Sequence, residues 1–418
     1  MDDGMEAGES PILGRIVVVI DEPFYRHNGR IFSSSTWAGF AGHLAAYCAR
    51  LTLMPPLADA EPPEGANAVP PNVHVQGRFF YQHVEDCYRL YAWHRHGLLR
   101  EAQRLFRDQD VVIIRLPLAL GRVLAGTAWR LGKPTVALLA GDVLDANRYV
   151  GRRGPKAFLA RCVARYHRRL ELRIAGGSVM TAVWSDGLLG PFGSVAERIA
   201  LGASPSLSAR QIVRRTREWQ PPIRLVRVCP LAPTKGVEYL IEAVLRLRRR
   251  GLDVRLDIAG DAADPLYLEH LKAQVARDGL EDRVTFHGRL PFGPVLFDFY
   301  RAGDIHVISS VSEGLPRCLV EGRAFGLPTA ATCVGGIPSV VHDGVDGLLV
   351  APRNAEALAD AVARLAGDEA LRRRIIDEGY RLAERETAEF QARRLATLVG
   401  RALRGEALGP AALDLHRI

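Results

Sequence analysis

Two glutamates, Glu313 and Glu321, stand eight positions apart in the segment 309–321. A carboxylate accepts hydrogen bonds from hydroxyl groups, so this pair can hold a ligand that carries hydroxyls at both ends. The unbonded amides in the first turn of a helix bind anions, and we predict such amides near Leu319 and Val320. A ligand with a phosphate centre and hydroxyls at both ends has the form of a nucleotide sugar.

The local pattern predicts the elements that position these glutamates. The apolar run 304–308 predicts a buried strand, and the Gly-Leu-Pro sequence that finishes at Pro328 ends a helix. Pro316 suits the first helical position, where its missing N–H leaves no bond unmade. The order is strand, loop and helix. Glu313 therefore lies in the loop at the carboxyl end of the strand, and Glu321 lies about one and a half turns into the helix.

The segment resembles the glutamate-seven-glutamate signature of the retaining glycosyltransferases of family 4, which have the GT-B fold. Six further segments resemble the family in the same order, and the region that they cover spans 224–390. These segments are Arg224–Val228, Pro233–Gly236, Leu256–Asp261, Arg283–Leu290, Val334–Pro338 and Asp343–Val350. The first 200 residues are similar to the family only in outline.

The resemblance implies a role for each residue of the motif. Glu321 accepts hydrogen bonds from the ribose hydroxyls of the nucleotide. Glu313, together with Gly314 and Leu315, meets the hydroxyls of the donor sugar. Lys235 neutralises the diphosphate as it leaves. The resemblance implies no metal ligand.

Two positions depart from the family's pattern. The family usually carries an arginine that also holds the diphosphate where this chain has Pro230, so one of two expected cations is missing. Arg317, near the start of the helix, can substitute, or it is simply a solvated arginine. After the strand 134–139 the family tends to carry a histidine where this chain has Ala140. Asp142 is our candidate for contacting a sugar hydroxyl there, unless the acceptor side is rebuilt.

The resemblance implies further contacts outside the motif. Arg289 follows a strand at the place where the family meets the nucleobase, and its guanidinium can stack on a base. We interpret the neighbouring His287 as a packed histidine. Gly29 closes a predicted loop at 21–30, where the family often has a glycine pair against the donor phosphate. The turn at Gly335 either shapes the wall beside the donor or has a purely conformational role.

The length and the composition fit two α/β domains. The chain has 418 residues, of which 48% are hydrophobic and 24% are charged. Strands and helices alternate, which predicts parallel sheets with helices on both faces, and 55–72 predicts a loop. We expect a GT-B protein with a cleft between an acceptor-side domain (1–202) and a nucleotide-sugar domain (223–386). A linker (203–222) joins them, and the last helix (387–418) is expected to cross back to the first domain.

Several features bear on the cellular compartment. No window approaches 18 uninterrupted apolar residues, and the first ten residues are acidic and polar. The six cysteines lie far apart, without a C-x-x-C pair. We therefore predict a cytoplasmic protein without a secretory signal, with reduced thiols and with no metal site.

Positive charge is concentrated in the first half of the chain. Residues 1–218 contain 28 Lys and Arg against 20 Asp and Glu, whereas the remainder contains 27 of each. The region 152–173 predicts a basic amphipathic helix, with Glu171 as its single acid. Its apolar face either packs in the core or docks peripherally on an anionic bilayer, at the inner face of the membrane, or on an anionic acceptor. No aromatic-basic motif supports nucleic acid as a partner, and we expect none.

The expected function is the retaining transfer of a sugar from a nucleotide sugar, most often a UDP-sugar in this family. The expected acceptor is a hydroxyl of a sugar, of a lipid-linked molecule or of another small molecule, and no metal or other cofactor is expected. Two alternatives remain. One is a GT-B enzyme of another class, such as a sugar-nucleotide epimerase or a phosphorylase. The other is a binding subunit without turnover.

Overall fold

A computed structural model describes residues 11–63, 65–77, 84–118, 120–140, 155–184, 186–201, 207–214, 219–262 and 264–413. The chain divides into two compact units. The first unit comprises Met1–Pro205 together with Ala388–Ile418, and the second unit comprises Ser206–Thr387.

Two sheets form the first unit. Its strands are β1 (Leu13–Val19), β2 (Phe24–His27), β3 (Arg30–Ser33), β4 (Cys48–Met54), β5 (Leu57–Asp59), β6 (Asn67–Ala68), β7 (His74–Val75), β8 (Val111–Leu116), β9 (Thr135–Leu139), β10 (Met180–Val183) and β11 (Ile199–Leu201). The larger sheet is parallel and has the order β11-β10-β9-β8-β1-β4-β7. Strand order reverses between β1 and β8, and such a reversal opens a crevice beyond the carboxyl ends of the two strands.

Helices connect these strands. They are α1 (Thr36–Ala45), α2 (Val84–Arg107), α3 (Gly121–Arg130), α4 (Pro155–Gly176) and α5 (Asp186–Gly193). Ser35 caps α1, since its hydroxyl accepts a hydrogen bond from the Trp37 amide at 3.0 Å. Among the helices of the described residues, none combines the length and the apolar character that a membrane span requires.

The smaller sheet corrects the prediction of loops at 21–30 and 55–72. It has the order β5-β2-β3-β6, and β2 and β3 form an antiparallel hairpin. Asn28 (φ 49°) and Gly29 (φ 73°) form its two-residue turn, and both have the positive φ that a tight hairpin turn requires. The Asn-Gly pair was the sequence signal for this hairpin. Gly29 therefore has a conformational role that is independent of any ligand.

The second unit contains a single parallel sheet in its described part. Its strands are β12 (Ile223–Val228), β13 (Val254–Ala259), β14 (Val284–Phe286), β15 (Ile305–Ile308), β16 (Thr329–Thr332) and β17 (Leu348–Val350). Their order, β14-β13-β12-β15-β16-β17, reverses between β12 and β15. The crevice of this sheet therefore lies beyond the carboxyl ends of β12 and β15.

Helices flank this sheet as well. They are α6 (Val237–Arg249), α7 (Pro265–Arg277), α8 (Pro294–Ala302), α9 (Arg317–Ala324), α10 (Ala355–Gly367) and α11 (Glu369–Arg385). Asp264, Asn354 and Asp368 cap α7, α10 and α11 through side-chain oxygens that accept backbone N–H groups. A side-chain cap satisfies one of the amides that the first turn leaves unbonded, which sets where these helices begin.

The boundary between the units falls within the segment that we predicted to be the linker. Leu207, just beyond the boundary, is buried among second-unit residues such as Val226 and Phe297. The last helix, α12 (Ala388–Leu403), belongs to the first unit, where it packs beside α1 and β1. Its buried residues, which include Ala392 and Val399, join the core of that unit.

Candidate active site

The crevice of the second unit brings Lys235 and Glu313 into contact. Lys235 ends a short 3₁₀ turn, Pro233–Lys235, that follows β12, and Glu313 lies in the loop that follows β15. The Lys235 Nζ lies 2.8 Å from both carboxylate oxygens of Glu313. The two side chains are 19% and 13% exposed. The structure thus joins two predicted site residues in one ion pair that remains accessible from solvent.

Close backbone contacts hold the two loops together. Gly236 has a φ of 57°, and a Cβ atom at this position would lie 2.3 Å from the Ser309 carbonyl oxygen. The Ser309 hydroxyl donates to the Lys235 carbonyl oxygen at 2.9 Å, and the Val311 amide donates to the Thr234 carbonyl oxygen at 2.8 Å. A side chain at position 236 would push these loops apart. Glycine is therefore required here to bring Lys235 to Glu313.

A glycine turn supports the other side of the Glu313 loop. A Cβ atom on Gly335, whose φ is 55°, would lie 1.7 Å from the Glu313 carbonyl oxygen. A Cβ atom on Gly336 would lie 2.9 Å from the Gly314 carbonyl oxygen and 3.1 Å from the Leu315 side chain. This turn therefore fixes the backbone of the loop, which favours the structural interpretation of Gly335 over that of a wall beside a ligand.

Glu321 lies below the loop, in α9, and is 6% exposed. The Tyr300 hydroxyl, from α8, donates to its Oε2 at 2.7 Å. Burial, with the Glu321 carboxylate beside it, raises the pKa of Tyr300 well above its ordinary value, so the hydroxyl stays protonated and donates. Sequence reasoning missed Tyr300. Its one signal was its place in an aromatic-rich run, 297–300, which core packing explains equally well.

The N-terminus of α9 differs from our prediction. Pro316 is the N-cap residue and Arg317 is the first helical residue. The Leu319 amide donates to the Pro316 carbonyl oxygen at 3.0 Å, so it is not a free donor as we expected. In the described part of the chain, it is the amides of Arg317 and Cys318 that find no acceptor. The helix starts one residue later than predicted, so the Leu319 amide is bonded within the first turn. The ligand contacts predicted for Leu319 and Val320 stay predictions.

Within the described residues, no hydrogen bond or ion pair joins Arg317 or Arg289 to the Lys235–Glu313 pair. Arg317 and Arg289 are exposed, and within the described residues neither forms an ion pair. Gly29 lies at the tip of the hairpin in the first unit. Asp142 lies outside the described residues.

His287, which we interpreted as a packed histidine, is exposed but has a partner within the second unit. Its Nε2 lies 2.5 Å from an oxygen of the buried Asp257 carboxylate. Burial would raise the pKa of Asp257, but hydrogen bonds from Arg224 and His287 outweigh burial and hold it below its ordinary value. The Asp257 carboxylate thus ties the end of β14 to the sheet.

A second group of residues that sequence reasoning missed lies beneath the Glu313 loop. Arg227, in β12, is fully buried, and its Nη2 donates to the Ser310 hydroxyl at 2.8 Å. The Ser310 hydroxyl donates in turn to Glu313 Oε2 at 2.7 Å. A charged residue in the middle of a strand of a parallel sheet is the signal that could have found Arg227, because both faces of such a sheet are buried.

The crevice of the first unit holds a different set of side chains. Arg115, near the end of β8, forms ion pairs with Glu22 at 2.9 Å and with Asp21 at 3.7 Å. Its guanidinium carbon lies 5.8 Å from the ring centre of Trp37 and 5.5 Å from that of Trp184. Burial raises the pKa of Asp21 to about 6, against the opposing effect of Arg115. Sequence reasoning did not single out any of these residues.

Comparison with known proteins identifies a family for part of the chain. Residues 222–368 match the glycosyl transferases group 1 family. We call this stretch the group 1 region. It contains Lys235, Glu313 and Glu321, together with most of the second unit.

Curated relatives match the same part of the chain. The alpha-D-kanosaminyltransferase of Streptomyces kanamyceticus is 37% identical over 149 residues, which are 35% of this chain and 37% of that protein. The D-inositol 3-phosphate glycosyltransferase of Segniliparus rotundus is 32% identical over 228 residues, which are 54% of this chain and 46% of that protein. The chain thus spans less than half the length of each of these relatives.

Solved structures resemble the whole chain in fold. Alr3699/HepE of Anabaena, in complex with UDP, has a TM-score of 0.65 at 16% identity and covers 92% of this chain and 99% of its own. Sucrose-phosphate synthase of Thermosynechococcus elongatus has a TM-score of 0.67 at 16% identity and covers 94% of this chain and 100% of its own. These neighbours and the two parallel-sheet units confirm the predicted GT-B fold.

Proposed function

We propose that this chain is a retaining glycosyltransferase that transfers a sugar from a UDP-sugar to an acceptor hydroxyl without a metal ion. The observation that carries the proposal is the ion pair between Lys235 and Glu313, at the crevice of a sheet that lies in the group 1 region. Ligands bind at such crevices in open α/β sheets. The donor is therefore expected to bind to the second unit.

The side chains suit the parts of a nucleotide sugar. Glu321 has one oxygen bonded to the buried Tyr300, and this contact orients the carboxylate that would receive the ribose hydroxyls. Lys235 supplies a cation for the diphosphate, together with the unbonded amides at the start of α9. Arg317 is exposed beside those amides and can add a second surface charge. We infer UDP as the nucleotide because the Anabaena protein of the same fold binds UDP.

The proposed chemistry takes place on one face of the sugar. The diphosphate leaves as the acceptor oxygen attacks, and the departing phosphate helps to take the acceptor's proton. Charge grows on the leaving oxygen, so a cation fixed nearby stabilises the transition state more than the ground state. As Lys235 turns to the diphosphate, Glu313 can contact the hydroxyls of the donor sugar.

A nucleotide-release assay with a panel of UDP-sugars and hydroxyl acceptors tests the proposal. We expect UDP release that depends on the acceptor and persists in EDTA, and a product that NMR shows to have the same anomeric configuration as the donor. Release with inverted configuration would overturn the retaining assignment, and activity lost in EDTA would overturn metal independence. Binding of UDP without transfer to any acceptor would favour a binding subunit, for which the uncharged Pro230 is the supporting observation.

We also propose that α4 contacts an anionic membrane surface. We considered that its apolar residues could pack in the core, but Phe158, Val163 and Tyr166 are 63%, 47% and 58% exposed. The exposed residues Arg161 and Arg165 lie between them. Exposed aromatic residues among arginines suit a bilayer with anionic lipids, because the rings enter the interface while the guanidinium groups meet the phosphates. The buried face of the helix is formed instead by small and paired side chains such as Ala164, Ile174 and the ion pair Arg168–Glu171.

A further inference from the structure

Arg227 is a buried cation whose contacts all lie beneath the proposed donor site. Its side chain is fully buried, and its Nη2 donates to the Ser310 hydroxyl at 2.8 Å. Its Nη1 lies 3.7 Å from the Cys318 Sγ, in the first turn of α9. Its Nε has no hydrogen-bond partner among the described residues. The guanidinium thus spans the two ends of the segment 310–318.

No anion touches this guanidinium in the described part of the chain. The two neighbouring sulfur atoms are neutral, because burial raises the pKa of Cys318 to about 12 and also raises that of Cys229. The buried His306 is also uncharged, since burial lowers its pKa to about 3. A buried charge without a counter-ion costs several kcal/mol, so such a residue points to an anion close by.

Glu313 is an anion that is linked to Arg227 through Ser310. A guanidinium only donates hydrogen bonds, so the Ser310 oxygen accepts from Arg227 and its single proton is directed away. That proton goes to Glu313 Oε2, at 2.7 Å. The order of donation, from Arg227 to Ser310 to Glu313, is therefore fixed by chemistry.

A diphosphate bound beside Lys235 competes with Glu313 for the ammonium group. Both of its contacts, at 2.8 Å, go to the Glu313 carboxylate. When Lys235 turns away, Glu313 keeps only the Ser310 hydroxyl among the side-chain hydrogen bonds found in the described residues. Pro230, where the resemblance implies a second cation, is exposed and uncharged.

We propose that Arg227 is the second cation of the donor site and acts from beneath it. It holds Glu313 through Ser310 once Lys235 has turned to the diphosphate, and it places positive charge under the start of α9, where the phosphates would lie. Arg227 is a positioning residue, because a fully buried side chain cannot touch the ligand. The inference rests on the proposed function, but its test does not depend on transfer alone.

The test compares Arg227→Met and Ser310→Ala with the control Thr329→Val in the full-length chain. Thr329 lies in β16, and its buried hydroxyl has no hydrogen-bond partner in the described residues, so Thr329→Val removes a buried oxygen of the same sheet outside this network. Calorimetry measures the affinities for UDP and for uridine, and steady-state kinetics measures kcat and KM for the donor.

We expect Arg227→Met to weaken UDP binding by about tenfold and to leave uridine binding unchanged, because a charge beneath the phosphates acts only on the diphosphate. Ser310→Ala keeps the Arg227 charge but removes the hydroxyl that links it to Glu313. We therefore expect kcat to fall by about tenfold while the UDP affinity stays the same. Arg227→Lys should restore part of the UDP affinity. The double variant Arg227→Met, Ser310→Ala should have the same kcat as Arg227→Met, because both substitutions interrupt the same series of hydrogen bonds, from Arg227 through Ser310 to Glu313.

Two results overturn the inference. One is that Arg227→Met and Ser310→Ala match Thr329→Val in both affinities and in kcat. The other is that Arg227→Met weakens uridine as much as UDP, which indicates a general loss of structure. If Arg227→Met does not fold, Ser310→Ala alone tests the inference, which then requires a lower kcat at constant UDP affinity. A wild-type chain that binds no UDP and transfers no sugar contradicts the proposed function itself, which separates the two failures.

Discussion

The two crevices of the molecule have the same topology and different sets of charged side chains. In both sheets the strand order reverses at the first strand of the unit, β1 or β12. In the second crevice two cations, Lys235 and Arg227, lie around the Glu313 carboxylate, and a second carboxylate, Glu321, lies below the same loop. The first holds one cation, Arg115, between two carboxylates and against two tryptophan rings.

This difference separates overall charge from local charge. The first unit contains the basic excess of the sequence, yet its crevice is rich in carboxylates, and the exposed arginines of α4 are part of that excess. A carboxylate pair beside aromatic rings suits a ligand rich in hydroxyls, whereas a paired lysine above a buried arginine suits a diphosphate. The second crevice is therefore the proposed site of the donor, and the first is the better candidate for a polar acceptor.

Removing the surface cation of the second crevice should have the largest effect. We expect Lys235→Ala to lower kcat by roughly 10²–10³-fold, because the charge that it meets grows as the diphosphate leaves. The matched control is Lys272→Ala, a lysine of α7 that is 52% exposed and pairs with Glu269. Steady-state kinetics with the donor measures both variants. Equal kcat values for the two would mean that Lys235 does not contact the diphosphate.

The two glutamates of the second crevice should separate binding from turnover. Glu321→Ala should weaken UDP binding by about 10–100-fold, since it removes a charged acceptor of ribose hydroxyls. Glu313→Ala should reduce kcat more than UDP affinity, because contacts to the reacting sugar strengthen during transfer. Calorimetry with UDP and steady-state kinetics distinguish the two. Glu321→Gln, which keeps the shape, controls for the buried Tyr300 hydroxyl that Glu321→Ala leaves without its acceptor. Normal kinetics in both alanine variants would contradict the assignment of Glu313 and Glu321 to donor binding.

The exposed arginines of α4 should contribute to membrane binding and not to sugar transfer. Arg161→Glu together with Arg165→Glu should lower binding to vesicles that contain phosphatidylglycerol by at least about tenfold at low salt. Vesicles of pure phosphatidylcholine should bind neither the wild type nor this variant. Arg107→Glu, an exposed arginine at the end of α2, is the control. Co-sedimentation measures the bound fraction, and equal binding of the two charge-reversal proteins would argue against docking by α4.

Replacing Asp21 should have the smallest effect, and that effect is on thermal stability. The pKa of Asp21 in the folded protein is about 6, above its ordinary value of 3.8, because burial disfavours the charged form. The folded state therefore binds more protons than the unfolded state between these values, so wild-type stability falls as pH rises from 4 to 6. Asp21→Asn should remove the fall in stability between pH 4 and pH 6. The Tm of the variant should exceed that of the wild type above pH 6 and should not exceed it below pH 4. Asp59→Asn, at a 78% exposed carboxylate of the same unit, should show no such dependence. Thermal melts across pH measure both.

The sequence predicted several helices well because their patterns are local. The apolar spacing predicts a helix over 84–107, which are the bounds of α2, and α10 and α11 begin and end within a residue of the predicted helices 355–366 and 368–385. The contact between Lys235 and Glu313 could not be predicted in this way. The two residues are 78 positions apart and meet because β12 pairs with β15.

The features that the local pattern did not reveal share a physical cause, which is tertiary context. Helix α4 has the period of a core helix, yet Phe158 and Tyr166 face solvent while Arg168 is buried against Glu171. The segment 21–30 lacks the long apolar alternation of a strand, and pairing with β5 and β6 makes it a hairpin. Arg227 has the appearance of a charge on an open strand face, but a parallel sheet covers both faces.

The position of α12 has a consequence for engineering the chain. Because residues 388–418 belong to the first unit, the polypeptide passes from one unit to the other twice, and the second unit is in effect an insertion into the first. A chimera that exchanges the donor-binding half with that of another enzyme therefore needs two junctions, one after Pro205 and one after Thr387. A simple truncation at the first junction would strip the core of the first unit of Ala392, Ala396 and Val399.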